Sequence, residues 1–135
     1  MNKSRRSNAF IFAVFSIAII LAATSGYAFD ITIDVAPNVL NIQSQSNVVT
    51  VHTDIGYGLV FVESVYLNGV PIDHWKADDQ GNFVAKFLSD AIKTIDGLVI
   101  GGDNQLKLVG ETVDGETFSG TQYIKVINVI PQGKN

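Results

Sequence analysis

Residues 106–130, LKLVGETVDGETFSGTQYIKVINVI, constrain the fold more than any other stretch of the chain. Leu106 and Leu108 alternate with polar neighbours, Asp114-Gly115 supplies the positive backbone angle of a tight turn, and residues 121–130 are rich in β-branched side chains. The pattern predicts a hairpin that runs into one long strand. That strand carries Tyr123, Ile127 and Val129 on one face and Ile124, Val126 and Ile130 on the other. Apolar residues on both faces predict a strand covered from both sides. A chain organised around it must be largely β.

The first 28 residues stand apart from this. Lys3, Arg5 and Arg6 precede an apolar run over 9–23 that only Ser16 interrupts. Thr24-Ser25-Gly26-Tyr27-Ala28 follows, with small residues at the last and third-last positions. This order predicts a cleavable secretory signal peptide over 1–28. The run falls short of the roughly 20 apolar residues that a membrane anchor needs. Ser4-Arg5-Arg6 resembles the opening of a twin-arginine signal, but Ser7 and Asn8 stand where apolar and basic residues should follow, which favours general secretion. The expected location is secreted, periplasmic or cell-surface.

Cleavage would leave 107 of the 135 residues, enough for one domain over 29–131 with a frayed tail over 132–135. All 13 acidic residues lie beyond Ala28, whereas three of the nine basic ones precede it, so the trimmed chain carries a net charge of −7. Such a module repels nucleic acid and anionic membrane surfaces, and neither is expected as a partner. Cysteine is absent. The core alone must offset an ordering entropy on the order of 100–200 kcal/mol, so nearly every strand must bury a face. A signal peptide without cysteine suits a bacterial or archaeal exported protein.

Residues 29–35 alternate apolar and polar and predict a half-buried first strand, broken by Pro37. Short strand character over 39–42 and a polar turn over 43–47 lead to a strong strand over 48–53, and residues 54–58 read as a loop. Asn68-Gly69 is the strongest hairpin signal, joining residues 59–67 to 70–75, with Pro71 marking an edge. After the alternating Phe83, Ala85 and Phe87 the period changes. Leu88, Ala91, Ile92 and Ile95 share a helical face, with Ser89 as N-cap and Gly97 as stop. A further brief strand is expected over 98–100. About eight short strands, turn signals every 8–12 residues and one short helix predict an all-β, immunoglobulin-like antiparallel β-sandwich, with a small closed barrel as the alternative.

With both ends read, the chain resembles an immunoglobulin-like module of exported bacterial proteins. The matching residues are Ile31-Thr32-Ile33-Asp34 with Pro37-Asn38, then Asp78-Asp79-Gln80-Gly81-Asn82 running to Phe87, then Leu108, Gly110, Asp114, Gly115, Phe118 and Gly120. The last six fit a Leu-x-Gly-x-x-x-Asp-Gly-x-x-Phe-x-Gly closing motif. A Pro-Gly that ends the family's first strand is missing here, and the middle loop lacks part of its Asp-x-Asp-Gly-Asp run. The resemblance implies a non-catalytic module and attaches no substrate to it.

Three kinds of site are compatible with these residues. Asp73, Asp78, Asp79 and Asn82 flank one loop and offer oxygens of the kind calcium takes six to eight of, although EF-hand order is not met. A solvated acidic turn explains the same residues. Tyr57, Tyr66 and Trp75 form a candidate aromatic platform for sugar rings, with Glu63, Asp73 and Asp78 able to orient hydroxyls; packing within the hairpin is the plainer explanation of Tyr66 and Trp75. The third needs no pocket: an exposed strand edge, with the first strand as the segment to be exchanged between subunits. His52 and His74 are the only histidines, and Asp73 and His74, as strand neighbours, are expected on opposite faces. Phosphate-cradling and hydrolase motifs are absent. The function expected is therefore a non-enzymatic module for extracellular interaction or surface architecture, its partner a protein or polysaccharide and its cofactor none. A carbohydrate- or calcium-dependent binding module is the runner-up, and a small secreted hydrolase stands further off.

Overall fold

The computed structural model describes residues 28–132. The expected signal peptide, up to Tyr27, and the last three residues of the expected tail lie outside them. The described chain forms two sheets. The larger contains β1 (Ala28–Asp30), β3 (Val39–Asn41), β5 (Val60–Leu67), β6 (Val70–Pro71), β9 (Gly102–Thr112) and β10 (Thr117–Ile127). The smaller runs β2-β4-β8-β7, where β2 is Ile33–Ala36, β4 Val48–Gly56, β8 Asn82–Leu88 and β7 His74–Ala77. Their facing sides make one core, in which Phe83, Phe87, Phe118, Leu106 and Leu108 are wholly buried. The fold is sandwich-like, with one short α-helix among the described residues.

The long hairpin is as the alternation requires. β9 and β10 pair in antiparallel register from Thr117 opposite Glu111 to Val126 opposite Gly102. Gly115, at φ +88°, makes the turn. β10 lies between β9 on one side and β1 and β3 on the other. Its two faces differ from expectation, however. Ile124 and Val126 are buried, but Tyr123 is 63% exposed, and the strand ends before Val129 and Ile130, both in solvent. β10 is interior to the sheet through hydrogen bonding, and only one of its faces is covered.

Two stretches that read as single strands divide between the sheets. Residues 28–30 pair parallel with β10, and residues 33–36 pair antiparallel with β4. The chain crosses between them at Ile31 and Thr32. Both halves point apolar side chains inward, so the uninterrupted alternation of the sequence conceals the switch. The crossing passes directly over Gly120, where a Cβ would stand 2.8 Å from the Ile31 carbonyl oxygen and 2.7 Å from Ile33 Cγ2. The segment after Asn68-Gly69 divides in the same way, into β6 beside β5 and β7 beside β8. β1 and β3 both pair parallel with β10, so the sandwich is not wholly antiparallel.

Four local expectations are corrected. β4 continues to Gly56, and the loop contracts to a 3₁₀ turn at Tyr57–Leu59. Residues 98–100 form no strand; the Asn104 side chain holds them by accepting from the Val99 N–H at 2.7 Å and donating to its carbonyl at 3.0 Å. Leu88 is exposed rather than on the buried face of helix α1 (Ser89–Lys93). Ser89 is not the cap either: Leu88 occupies that position, and Ser89 sits inside the helix, fully buried, with its hydroxyl unpartnered. An unmet buried hydroxyl costs about 1–3 kcal/mol. Ser89→Ala is accordingly expected to leave the melting temperature unchanged or to raise it by several degrees in a calorimetric scan.

Candidate functional site

The acidic residues separate along β7. Asp73 precedes the strand and Asp78 follows it, five residues on, which at about 3.3 Å per residue sets them roughly 16 Å apart. Asp73 accepts from or donates to nothing in the loop; its carboxylate lies 2.8 Å from His74 Nδ1. The two were expected on opposite faces. They meet because Asp73 lies outside β7 and forms a bulge with His74, where strand alternation does not hold. Both side chains are well exposed, and the pair opens onto solvent.

Asp78, Asp79 and Asn82 do share the β7–β8 turn, and the turn uses its oxygens internally. One Asp78 carboxylate oxygen accepts the N–H groups of Gln80 and Asn82, both at 2.9 Å. The Asp78 carbonyl accepts from Gly81, the Asn82 carbonyl from Asp78, and the Gly81 carbonyl from Tyr57. Among the described residues, no group of three or more His, Cys, Asp or Glu side chains is gathered to hold a metal ion. Calcium would need six or more oxygens facing one point. We expect equal melting temperatures with calcium and with chelator; a rise of several degrees in calcium would show a site assembled from these residues after all.

The three aromatic residues also part company. Tyr57 lies in the 3₁₀ turn, its ring centroid 6.4 Å from that of Phe83. Tyr66 stands on the outer face of the larger sheet, opposite Val109. Trp75 belongs to β7 in the other sheet, opposite the buried Ala85 and thus on the inward side of an edge strand. All three are about 40% exposed, but they offer no common plane. The aromatic residues that share a face with Tyr66 are Phe61 and Tyr123, 47% and 63% exposed, the second of them expected on a covered face. The signal for Phe61 was present in the alternation of Phe61 with Val60 and Val62. It was obscured by an irregularity in the β5–β9 register between Phe61 and Tyr66.

One depression of the surface, about 230 Å³, is lined by Asp34, His52, Asp54, Asp78, Gln80 and Asn82 among others. Another, about 490 Å³, is lined by Ser44, Gln45, Ser46, Asn47, Leu88 and Asp90, and its one carboxylate lies 3.8 Å from Lys93 Nζ.

The edges of the sheets are more distinctive. β6 is two residues long and contains Pro71; the outer side of β10 is taken by β1 at one end and β3 at the other. The β10 side is a blunted edge, whereas β6 covers β5 only at Tyr66 and Leu67. On β2 the outward N–H of Val35 donates to Gln122 Oε1 at 2.7 Å, so a side chain of the larger sheet takes up one position of that edge. β7 is the fourth edge. All four of its residues are exposed, and among the described residues no strand pairs with its outer side.

The class defined by this architecture is a mainly-β, two-sheet sandwich. No protein-family model, curated protein or solved structure matches the chain.

Proposed function

We propose that the chain is an exported, non-catalytic sandwich of immunoglobulin type that serves extracellular interaction or cell-surface architecture. The observation that carries this reading is the open edge of β7, whose four residues are all exposed and whose outer side pairs with no strand among the described residues. A free edge is a ready template for another extended chain. The strand order supports the fold assignment: β2-β4-β8-β7 against β10-β9-β5 follows the A-B-E-D against G-F-C arrangement of constant-type immunoglobulin domains. The closing motif agrees, since Gly110 lies opposite Phe118 and Gly120 opposite Leu108, each glycine making room where the core is tightest.

Export is tested by mass spectrometry of the extracellular and envelope fractions of producing cells. The expected N-terminus is Phe29, whose ring lies 6.2 Å from that of Phe118 and anchors the first strand. Recovery of the untrimmed chain from the cytoplasm alone would refute the reading.

A second reading, carbohydrate binding, is favoured by the shared exposed face of Phe61, Tyr66 and Tyr123, since sugar rings stack on such surfaces. Polysaccharide retention lost in Tyr66→Ala, and unchanged in Tyr57→Ala with Trp75→Ala, would support that face over the platform first expected.

A further inference from the structure

We propose that copies of this chain join end to end by adding β7 of one to β2 of the next, with Lys76 opposite Asp34 of the neighbouring copy. The inference rests on the interaction reading above and gives it a partner: a second copy of the chain.

Hydrogen-bond parity is the first support. The Asp78 N–H donates to Asn82, and the N–H groups of Asp73 and His74 flank the bulge at Lys86, whose carbonyl accepts from Asp73. Even-numbered residues of β7 therefore face β8, and Trp75 and Ala77 turn their backbone groups to the open side. On β2, the Val35 N–H points away from β4, as its bond to Gln122 shows. Ile33 and Val35 are thus the outward pair. Both edges present odd-numbered residues, two from each, and can exchange bonds as Trp75 with Val35 and Ala77 with Ile33.

Direction is the second. Each neighbouring pair in the smaller sheet is antiparallel, and the sheet has four strands, so β7 and β2 run in opposite senses. A copy displaced sideways without being turned over brings β7 against β2 in antiparallel order. The faces match as well. Trp75 and Ala77 lie on the core side with Val35 and Ile33, while Lys76 and Asp34 lie on the outer face.

Charge is the third, and it separates this pairing from its competitors. The same register sets Lys76 directly opposite Asp34, and an opposite-charge pair across strands is favourable. Pairing β7 with a second β7 so that Trp75 meets Ala77 sets Lys76 against Lys76. Pairing β2 with β2 around Asp34 sets carboxylate against carboxylate. Of these three, only the heterologous contact joins unlike charges, and a heterologous contact that does not close gives a filament. In the free chain the Gln122 amide oxygen occupies the place that the Trp75 carbonyl of the next copy would take.

Sedimentation across a concentration series of the purified chain is the test. The expected result is a mass that climbs past the dimer, with Gln122→Ala assembling at lower concentration. Lys76→Asp and Asp34→Lys should each shift assembly to about tenfold higher concentration, and the double swap should restore it. Ala77→Pro should abolish it while leaving the melting temperature near that of the parent, because the lost N–H faces outward. A monomer at every concentration for the parent and Gln122→Ala alike overturns the proposal. So does assembly that stops at the dimer, or that the single charge variants leave unchanged. None of these outcomes bears on whether the N-terminus is Phe29, so the two readings fail separately.

Discussion

Phe118→Ala is expected to cost about 3–5 kcal/mol, the range for removing a wholly buried phenylalanine, and to lower the melting temperature by more than about 10 °C. The ring lies on β10 over Gly110 of β9 and faces Phe29 of β1, so it ties the N-terminal strand to the central hairpin. Its fit can be tested from the opposite side. A Cβ at Gly110 would stand 2.6 Å from Phe118 Cζ and 3.1 Å from Val65 Cγ2. Gly110→Ala alone should therefore cost about 1–3 kcal/mol through overpacking. In a Phe118→Leu background the shorter side chain withdraws the atom that clashes, and the added cost of Gly110→Ala should fall by more than about 0.5 kcal/mol. Additive losses in denaturant titrations of the four proteins would show that Gly110 is kept for some other reason.

Gly120→Ala should have an effect of about 2–3 kcal/mol, and no neighbouring side-chain truncation should rescue it. The reason is the identity of the obstacle. Of the atoms crowding a Cβ here, the Ile31 carbonyl oxygen at 2.8 Å is backbone, and the Ile31 N–H simultaneously donates to Ser119 at 2.8 Å. The crossing between sheets would have to move away from β10. Hydrogen exchange at the Ile31 amide is the local measure, and protection there should be lost before protection in β9. A variant that unfolds as one unit, with Ile31 no more labile than Leu106, would contradict this.

The two glycines illustrate how a sequence motif acquires its meaning. As letters, Gly110 and Gly120 are two spaced glycines of one hairpin. In the fold, one makes space for a ring of its own hairpin and the other for a strand from the far end of the chain. The first reason was accessible from the hairpin register. The second was not, since it depends on where residues 31–33 travel.

The candidate sites follow the same division. Nearness in sequence grouped Asp73 with Asp78 and Tyr66 with Trp75. A strand holds the first two apart, and a sheet change separates the second pair. Conversely, Asp34 and Lys76 showed no relation in the sequence. They acquire one because the smaller sheet has an even number of strands and places them on opposite edges of the same face.

Local chemistry thus determined what each segment became: alternation made strands, Asn68-Gly69 and Asp114-Gly115 made turns, and Ile92 with its neighbours made the helix. Those are short-range effects, written in adjacent residues. Which sheet each strand joined, which face of β10 met water and which edge stayed open were decided only by the packing of the two sheets. An inward-facing apolar residue satisfies either sheet equally, and the choice between them rests on contacts made tens of residues away.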